Sequence, residues 1–144
     1  MGGRDVLEAL RLILAMPEDV IVKRVLEIFP PACPDCGSRR VVKIGGVFRT
    51  SGLRVQRFRC KACGRTFTVF EGTPLKGLHD IRLVIVVAYL VLCLGMEPRT
   101  IARATGRSYS TVLRVYRRVI KNEKFFKTLL SELGITSVTA CPYR

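Results

Sequence analysis

The sequence predicts an α+β chain in which a small β-rich segment stands between two helical ones. Two observations predict it. Apolar residues recur at helical spacing before residue 30 and after residue 80, whereas residues 31–72 carry short runs broken by Gly turns. Four of the six cysteines bracket strands of that middle segment as two Cys-x2-Cys pairs. A chain of 144 residues suffices for one ordinary domain or two small ones. Its 49% apolar content is enough for a core and excludes a disordered chain.

Residues 5–16 read as an amphipathic helix, with Leu7, Leu10 and Leu14 at i, i+3 and i+7. Pro17 interrupts it. Residues 18–29 suit a second helix, with acids in the first turn and Val22, Val25, Leu26 and Phe29 on one face. Pro30-Pro31 closes this N-terminal helical pair, residues 1–30. The next unit spans 31–72, with candidate strands at 40–44, 47–50, 53–59 and 65–70, separated by Gly45-Gly46, Ser51-Gly52 and the second Cys pair. Helical texture returns at 80–94, 98–104 and 108–121 within a unit spanning 73–121. A last helix, 123–133, belongs to a C-terminal segment, 122–144.

The charge follows this division. The formal net charge is +14 and the pI is near 10.2. Residues 1–32 carry four Lys/Arg against five Asp/Glu, whereas 33–72 and 73–121 each carry nine against two. The excess is confined to two adjacent blocks, which points to a polyanionic partner. A membrane surface is not the expected one. No secretory signal is visible, because Asp5 and Glu8 interrupt the first helix. The longest uncharged run, 83–96, has 14 residues, short of the roughly 18–20 that cross a bilayer. The expected location is cytoplasmic and nucleoid-associated. A single Asn and a single Gln, beside abundant Arg and Val, hint at a thermophilic source.

The cysteine spacing is Cys33-x2-Cys36-x23-Cys60-x2-Cys63, with Gly37 and Gly64 directly after each pair. Tetrahedral zinc takes soft thiolates, and each Cys-x2-Cys turn supplies two of them from a compact loop. Glycine after the pair permits the positive φ that turns backbone N–H groups toward the sulfurs. The segment is small, basic and poor in apolar residues, so a metal would supply folding energy that its core lacks. One structural Zn2+ in a four-cysteine zinc ribbon is therefore expected, with metal-free buried cysteines or two disulfides as the alternative. Four Cys ligands leave no open position for catalysis. Cys93 reads as a buried small hydrophobe, Cys141 as a lone thiol and His79 as a helix-boundary residue.

Residues 80–121 fit three helices. The first is almost wholly apolar, as the central support of a small bundle would be. Pro98 opens the second at the favoured first position, Thr105-Gly106 makes the turn, and Ser108 or Ser110 caps the third. Val112, Val115 and Val119 form the inner face of the third helix, leaving Ser110, Arg114, Arg117, Arg118 and Lys121 as a cationic stripe. In a helix-turn-helix the start of the second motif helix meets base edges while flanking cations hold phosphates. The candidates for base contact are Tyr109, Ser110, Thr111 and Arg114. Arg99, Arg107, Arg117, Arg118 and Lys121 are the candidates for phosphate contact, with Ser108 at the cap. The other reading is a helical hairpin with a solvated basic face.

The segments Cys33-Pro34-Asp35-Cys36-Gly37-Ser38 and Arg57-Phe58-Arg59-Cys60-Lys61-Ala62-Cys63-Gly64-Arg65-Thr66-Phe67-Thr68 resemble the N-terminal zinc ribbon of insertion-sequence transposases. Residues 94–116, with Ile101-Ala102-Arg103-Ala104-Thr105-Gly106 and Ser110-Thr111-Val112, are similar to the helix-turn-helix after that ribbon. The resemblance covers roughly residues 31–121. It implies binding of double-stranded DNA by both modules and, in such elements, repression of a promoter. These transposases continue into a metal-dependent catalytic domain with spaced acids. Here only Glu123 and Glu132 follow the helix-turn-helix, so no enzyme activity is expected. The expected function is a sequence-specific DNA-binding regulator or transposase-derived factor, with a homodimer or partner interface in residues 5–29. The alternatives are the DNA-binding fragment of a transposase, or a zinc-ribbon protein serving RNA, a ribonucleoprotein or RNA polymerase.

Overall fold

The computed structural model describes residues 3–49, 52–78 and 80–135. In chain order these form α1 (Gly3–Ala15), α2 (Glu18–Ile28), β1 (Val41–Phe48), β2 (Arg54–Cys60), β3 (Thr66–Thr68), α3 (Ile81–Leu92), α4 (Pro98–Thr105), α5 (Tyr109–Lys121) and α6 (Glu123–Glu132). The architecture is α+β. It divides into two compact units, Met1–Met16 with Asp80–Arg144, and Pro17–His79.

In the helical unit α3 is the hub. Ten of its twelve residues are buried, which only a helix covered on nearly every side can achieve. It packs against α1, α5 and α6. Asp80 starts it: the carboxylate accepts the Leu83 N–H at 3.1 Å and also pairs with Arg107. α4 begins on Pro98 and ends on Gly106, which takes the left-handed conformation at φ +70° and donates its N–H to the Ala102 carbonyl at 3.0 Å. A left-handed terminal residue reverses the chain, and glycine does this without a Cβ penalty. Two residues later Ser108 caps α5 by accepting the Thr111 N–H. Ile101, Val112, Val115 and Val119 turn inward. α6 follows α5 with Asn122 alone between them, and buries Phe125, Phe126, Leu129 and Leu130. The last helix is therefore part of this core rather than an appendage to it.

α1 differs from the periodicity reading. Ala9 and Ile13 are its fully buried residues, whereas Leu7 and Leu14 are 49% and 63% exposed. The helix carries two apolar stripes, and it is the slimmer one, with Ala9, that is covered. α1 and α2 also fall in different units, so the boundary lies inside the helical pair read from residues 1–30.

In the strand unit the sheet is antiparallel with order β1-β2-β3. The two strands expected at 40–44 and 47–50 are one strand. Its register with β2 passes from Lys43↔Phe58 to Gly46↔Gln56, so β1 absorbs an extra residue beside Gly45, whose φ is +107°. A glycine pair inside a strand serves a bulge as readily as a turn. β3 stops at Thr68 because Glu71 and Gly72 donate their N–H groups back to the Thr68 carbonyl. Phe58 and Phe67 stack at 5.8 Å between ring centres. Arg49 lies 3.9 Å over the Phe70 ring. α2 buries Ile21, Val22 and Val25.

Asp80 serves both a helix cap and an exposed ion pair, and the cap should dominate. Exposed pairs contribute about 0–1 kcal/mol, whereas losing a cap costs about 0.5–2 kcal/mol. In urea titrations Asp80→Ala should lose about 1–2 kcal/mol of stability and Asp80→Asn at most a few tenths. Equal losses would assign the effect to the Arg107 pair.

Candidate functional site

Two knuckles with the same wiring bring four cysteines together. In the first, the Cys33 N–H donates to the Ser38 carbonyl and the Gly37 N–H to the Cys33 carbonyl, both at 2.9 Å. In the second, Cys60 donates to Arg65 at 2.8 Å and Gly64 to Cys60 at 2.9 Å. Gly37 and Gly64 have φ of +74° and +82°, as the spacing requires. The turns aim further N–H groups at sulfur: Asp35 and Cys36 at Cys33, Ala62 and Cys63 at Cys60, Ser38 at Cys36, and Arg65 at Cys63.

The sulfurs lie within 4.8 Å of one another, with Cys33–Cys63 and Cys36–Cys60 each at 3.5 Å. A tetrahedron with metal–sulfur bonds of ~2.3 Å has edges of roughly 3.8 Å, so the cluster has the right size for a metal ion. All four cysteines are free thiols, which removes the disulfide alternative here. Cys33 and Cys60 are buried and Cys36 and Cys63 exposed, so the first ligand of each knuckle anchors the site and the second closes it.

Outside the sulfurs, Arg65 joins the two knuckles. Its guanidinium pairs with Asp35 of the first turn and with Glu71, whose other oxygen accepts the Thr68 N–H. These carboxylates hold Arg65 above its ordinary pKa, Glu71 contributing most.

Electrostatics divides the thiols. The Cys63 and Ala62 N–H groups lower Cys60 to about 6 against the opposing effect of desolvation. At Cys63 the Arg65 N–H pulls downward. Cys33, desolvation, Cys36 and Cys60 outweigh it and push the thiol up to about 12. Cys33 is lowered, chiefly by the Cys36 N–H. Cys36 is raised: the Ser38 N–H is opposed by Cys60, desolvation and Cys33. Four thiolates this close need a cation, and without one Cys36 and Cys63 keep their protons.

The second group of residues lies on the helical unit. Ser110, Leu113, Arg114, Arg117, Arg118 and Lys121 line one groove along α5. Five of these stand in the cationic stripe read from the sequence, and the sixth, the half-buried Leu113, lies outside it. The other candidates are engaged locally. Arg99 stacks on Tyr109 at 4.5 Å, Arg107 pairs with Asp80, and the Ser108 hydroxyl meets both the Thr111 hydroxyl and its N–H. These contacts brace the start of α5 and bring no further side chain into the groove.

Cys93 is buried as expected but is disulfide-bonded, so it is not merely a small hydrophobe. His79 and Cys141 lie outside the described residues. No helix among the described residues is long and apolar enough to cross a membrane.

Metal uptake should release protons from Cys36 and Cys63 at neutral pH, since the bound ligands are thiolates. Below about pH 6 Cys60 is protonated as well, and the fall in affinity should steepen there. Competition with a chromophoric chelator from pH 5.5 to 8 reads this directly, and an affinity that rose on acidification would contradict it. Chelation or Cys60→Ser should abolish the cooperative melt of the strand unit. Compared with family models, curated proteins and solved structures, the chain matches none of them.

Proposed function

We propose that the chain is a sequence-specific double-stranded DNA-binding protein, a regulator or transposase-derived factor, with α4 and α5 acting as a helix-turn-helix. The observation that carries this reading is the α5 groove, in which Arg114, Arg117, Arg118 and Lys121 converge on one face. Four cations on one face of a capped helix match the spaced phosphates of a duplex groove, and a +14 chain gains further from counterion release. Ser110 and Arg114, nearest the start of α5, are the base-reading residues. Arg117, Arg118 and Lys121 hold phosphates. The resemblance read in residues 31–121 to the zinc ribbon and helix-turn-helix of insertion-sequence transposases points the same way.

The Cys33, Cys36, Cys60 and Cys63 cluster fits one Zn2+ in a ribbon. Bound there, zinc would neutralise thiolates and fix the knuckles, a structural role because no ligand position stays open. Leu7 and Leu14, left exposed on α1, are where a second copy would dock, pairing two recognition helices on an inverted repeat.

Selection of bound duplexes from a random pool, at stated salt, tests the reading. An enriched inverted repeat is expected, and absence of enrichment would sink sequence-specific recognition. Arg114→Ala should relax preference at one position, costing about 1–3 kcal/mol for the chosen site. Arg117→Ala should instead weaken all sequences alike and reduce the salt slope by about one unit. If neither moves duplex affinity, the stripe is a solvated face. Competition with single-stranded RNA separates the DNA reading from an RNA-serving ribbon, and metal analysis should return one zinc per chain.

A further inference from the structure

Phe48, at 75%, is the most exposed large apolar side chain among the described residues. It does not hang from a loose tip. It ends β1 in register with Arg54 of β2, and the next residue, Arg49, closes the hairpin through its N–H to the Leu53 carbonyl at 2.8 Å. The Arg49 guanidinium lies over Phe70, and Leu53 and Val55 are buried. The backing of the ring is fixed while the ring stands in water.

Its neighbours are cationic. Arg54 sits directly across from Phe48, and its guanidinium lies over Gly46, where a Cβ would come within 2.8 Å of Cζ. The absence of a side chain at Gly46 is therefore what leaves room for that guanidinium over the strand. Residues 54, 56 and 58 alternate onto one side of β2, so their partners Phe48, Gly46 and Lys43 share that side. Lys43 and Arg54 are exposed, and among the described residues neither has an acidic partner. The acids nearest in sequence, Asp35 and Glu71, are both taken by Arg65.

A preset aromatic face beside uncompensated cations fits a ligand that is flat and apolar at one end and anionic at the other. An unpaired nucleotide has both. In a duplex the base faces are already stacked on one another, so the Phe48 ring would meet only their edges. In a single strand they are available, and every base offers one. We propose that the β1–β2 hairpin carries a second nucleic-acid site, separate from α5, which stacks an unpaired base on Phe48 while Arg54 and Lys43 hold the neighbouring phosphates.

The chain contains no tryptophan, so Phe48→Trp places a single reporter at the site. In the zinc-loaded full chain, an oligothymidylate of about fifteen nucleotides should quench its fluorescence. Phe48→Leu, apolar but not aromatic, should weaken that binding about tenfold, whereas Phe48→Tyr should keep it. Far-UV circular dichroism checks that each variant is folded. Phe48→Leu should leave affinity for a matched duplex unchanged, which keeps this site distinct from the duplex reading of α5. Three results would overturn the proposal: no quenching by the oligonucleotide, parental affinity in Phe48→Leu, or an equal Phe48→Leu loss on a matched duplex. A reporter that answers to anionic vesicles and ignores the oligonucleotide would assign the patch to a lipid surface instead.

Discussion

The strand unit depends on keeping four sulfur atoms within 4.8 Å of one another. The other link between the knuckles is the half-exposed Arg65 pairs, and pairs of that kind contribute only about 0–1 kcal/mol each. The unit's longest strand, β1, is exposed along most of its length, and its buried aromatics are the Phe58–Phe67 pair and Phe70. Each knuckle answers the same electrostatic problem with the same devices, a left-handed glycine and a set of inward N–H groups. Those groups favour charge on Cys33 and Cys60, and the crowding suppresses it on Cys36 and Cys63. Arg65 adds a clamp between the knuckles that needs no metal.

The helical unit solves a different problem. α3 is too apolar to leave more than a narrow edge to water, so α1, α5 and α6 must cover it. Covering it fixes which side of α5 faces out. Val112, Val115 and Val119 are committed inward, and Ser110, Arg114, Arg117, Arg118 and Lys121 are left along the groove. The cationic stripe is thus a by-product of core packing. Beside the start of α5, Arg107 pairs with Asp80 and Arg99 stacks on Tyr109.

Much of this was legible in the residues. Helix limits agree with the periodicity to within one or two positions at most ends, because Pro17, Pro98, Gly106 and Ser108 are strong punctuation. The cysteine cluster was legible because its spacing and glycines admit few other geometries. Gly45-Gly46 was not, since the same dipeptide serves a turn or a bulge and only the partner strand decides. The buried face of α1 is not legible, because Leu7, Leu10 and Leu14 outweigh Ala9 and Ile13 in apolar size. What α3 accepts is set by closeness of approach, which favours the small residue. Thr111 and Arg107 carry the right chemistry for a ligand, but local partners claim them, and no periodicity encodes that.

The hydrogen bond from the Arg82 Nε to the Met16 carbonyl, 3.0 Å long, has a topological meaning. It lies within the helical unit and joins the residues where the chain leaves that unit and returns to it. Everything from Pro17 to His79 is consequently an insertion with neighbouring ends. Such a segment adds little loop-closure cost to its host, because lengthening a closed loop is penalised only logarithmically. The architecture is that of a helical unit whose chain is interrupted by a second compact unit. Rejoining the helical unit would ask only for a short bridge between Met16 and Asp80, because α1 and α3 already meet.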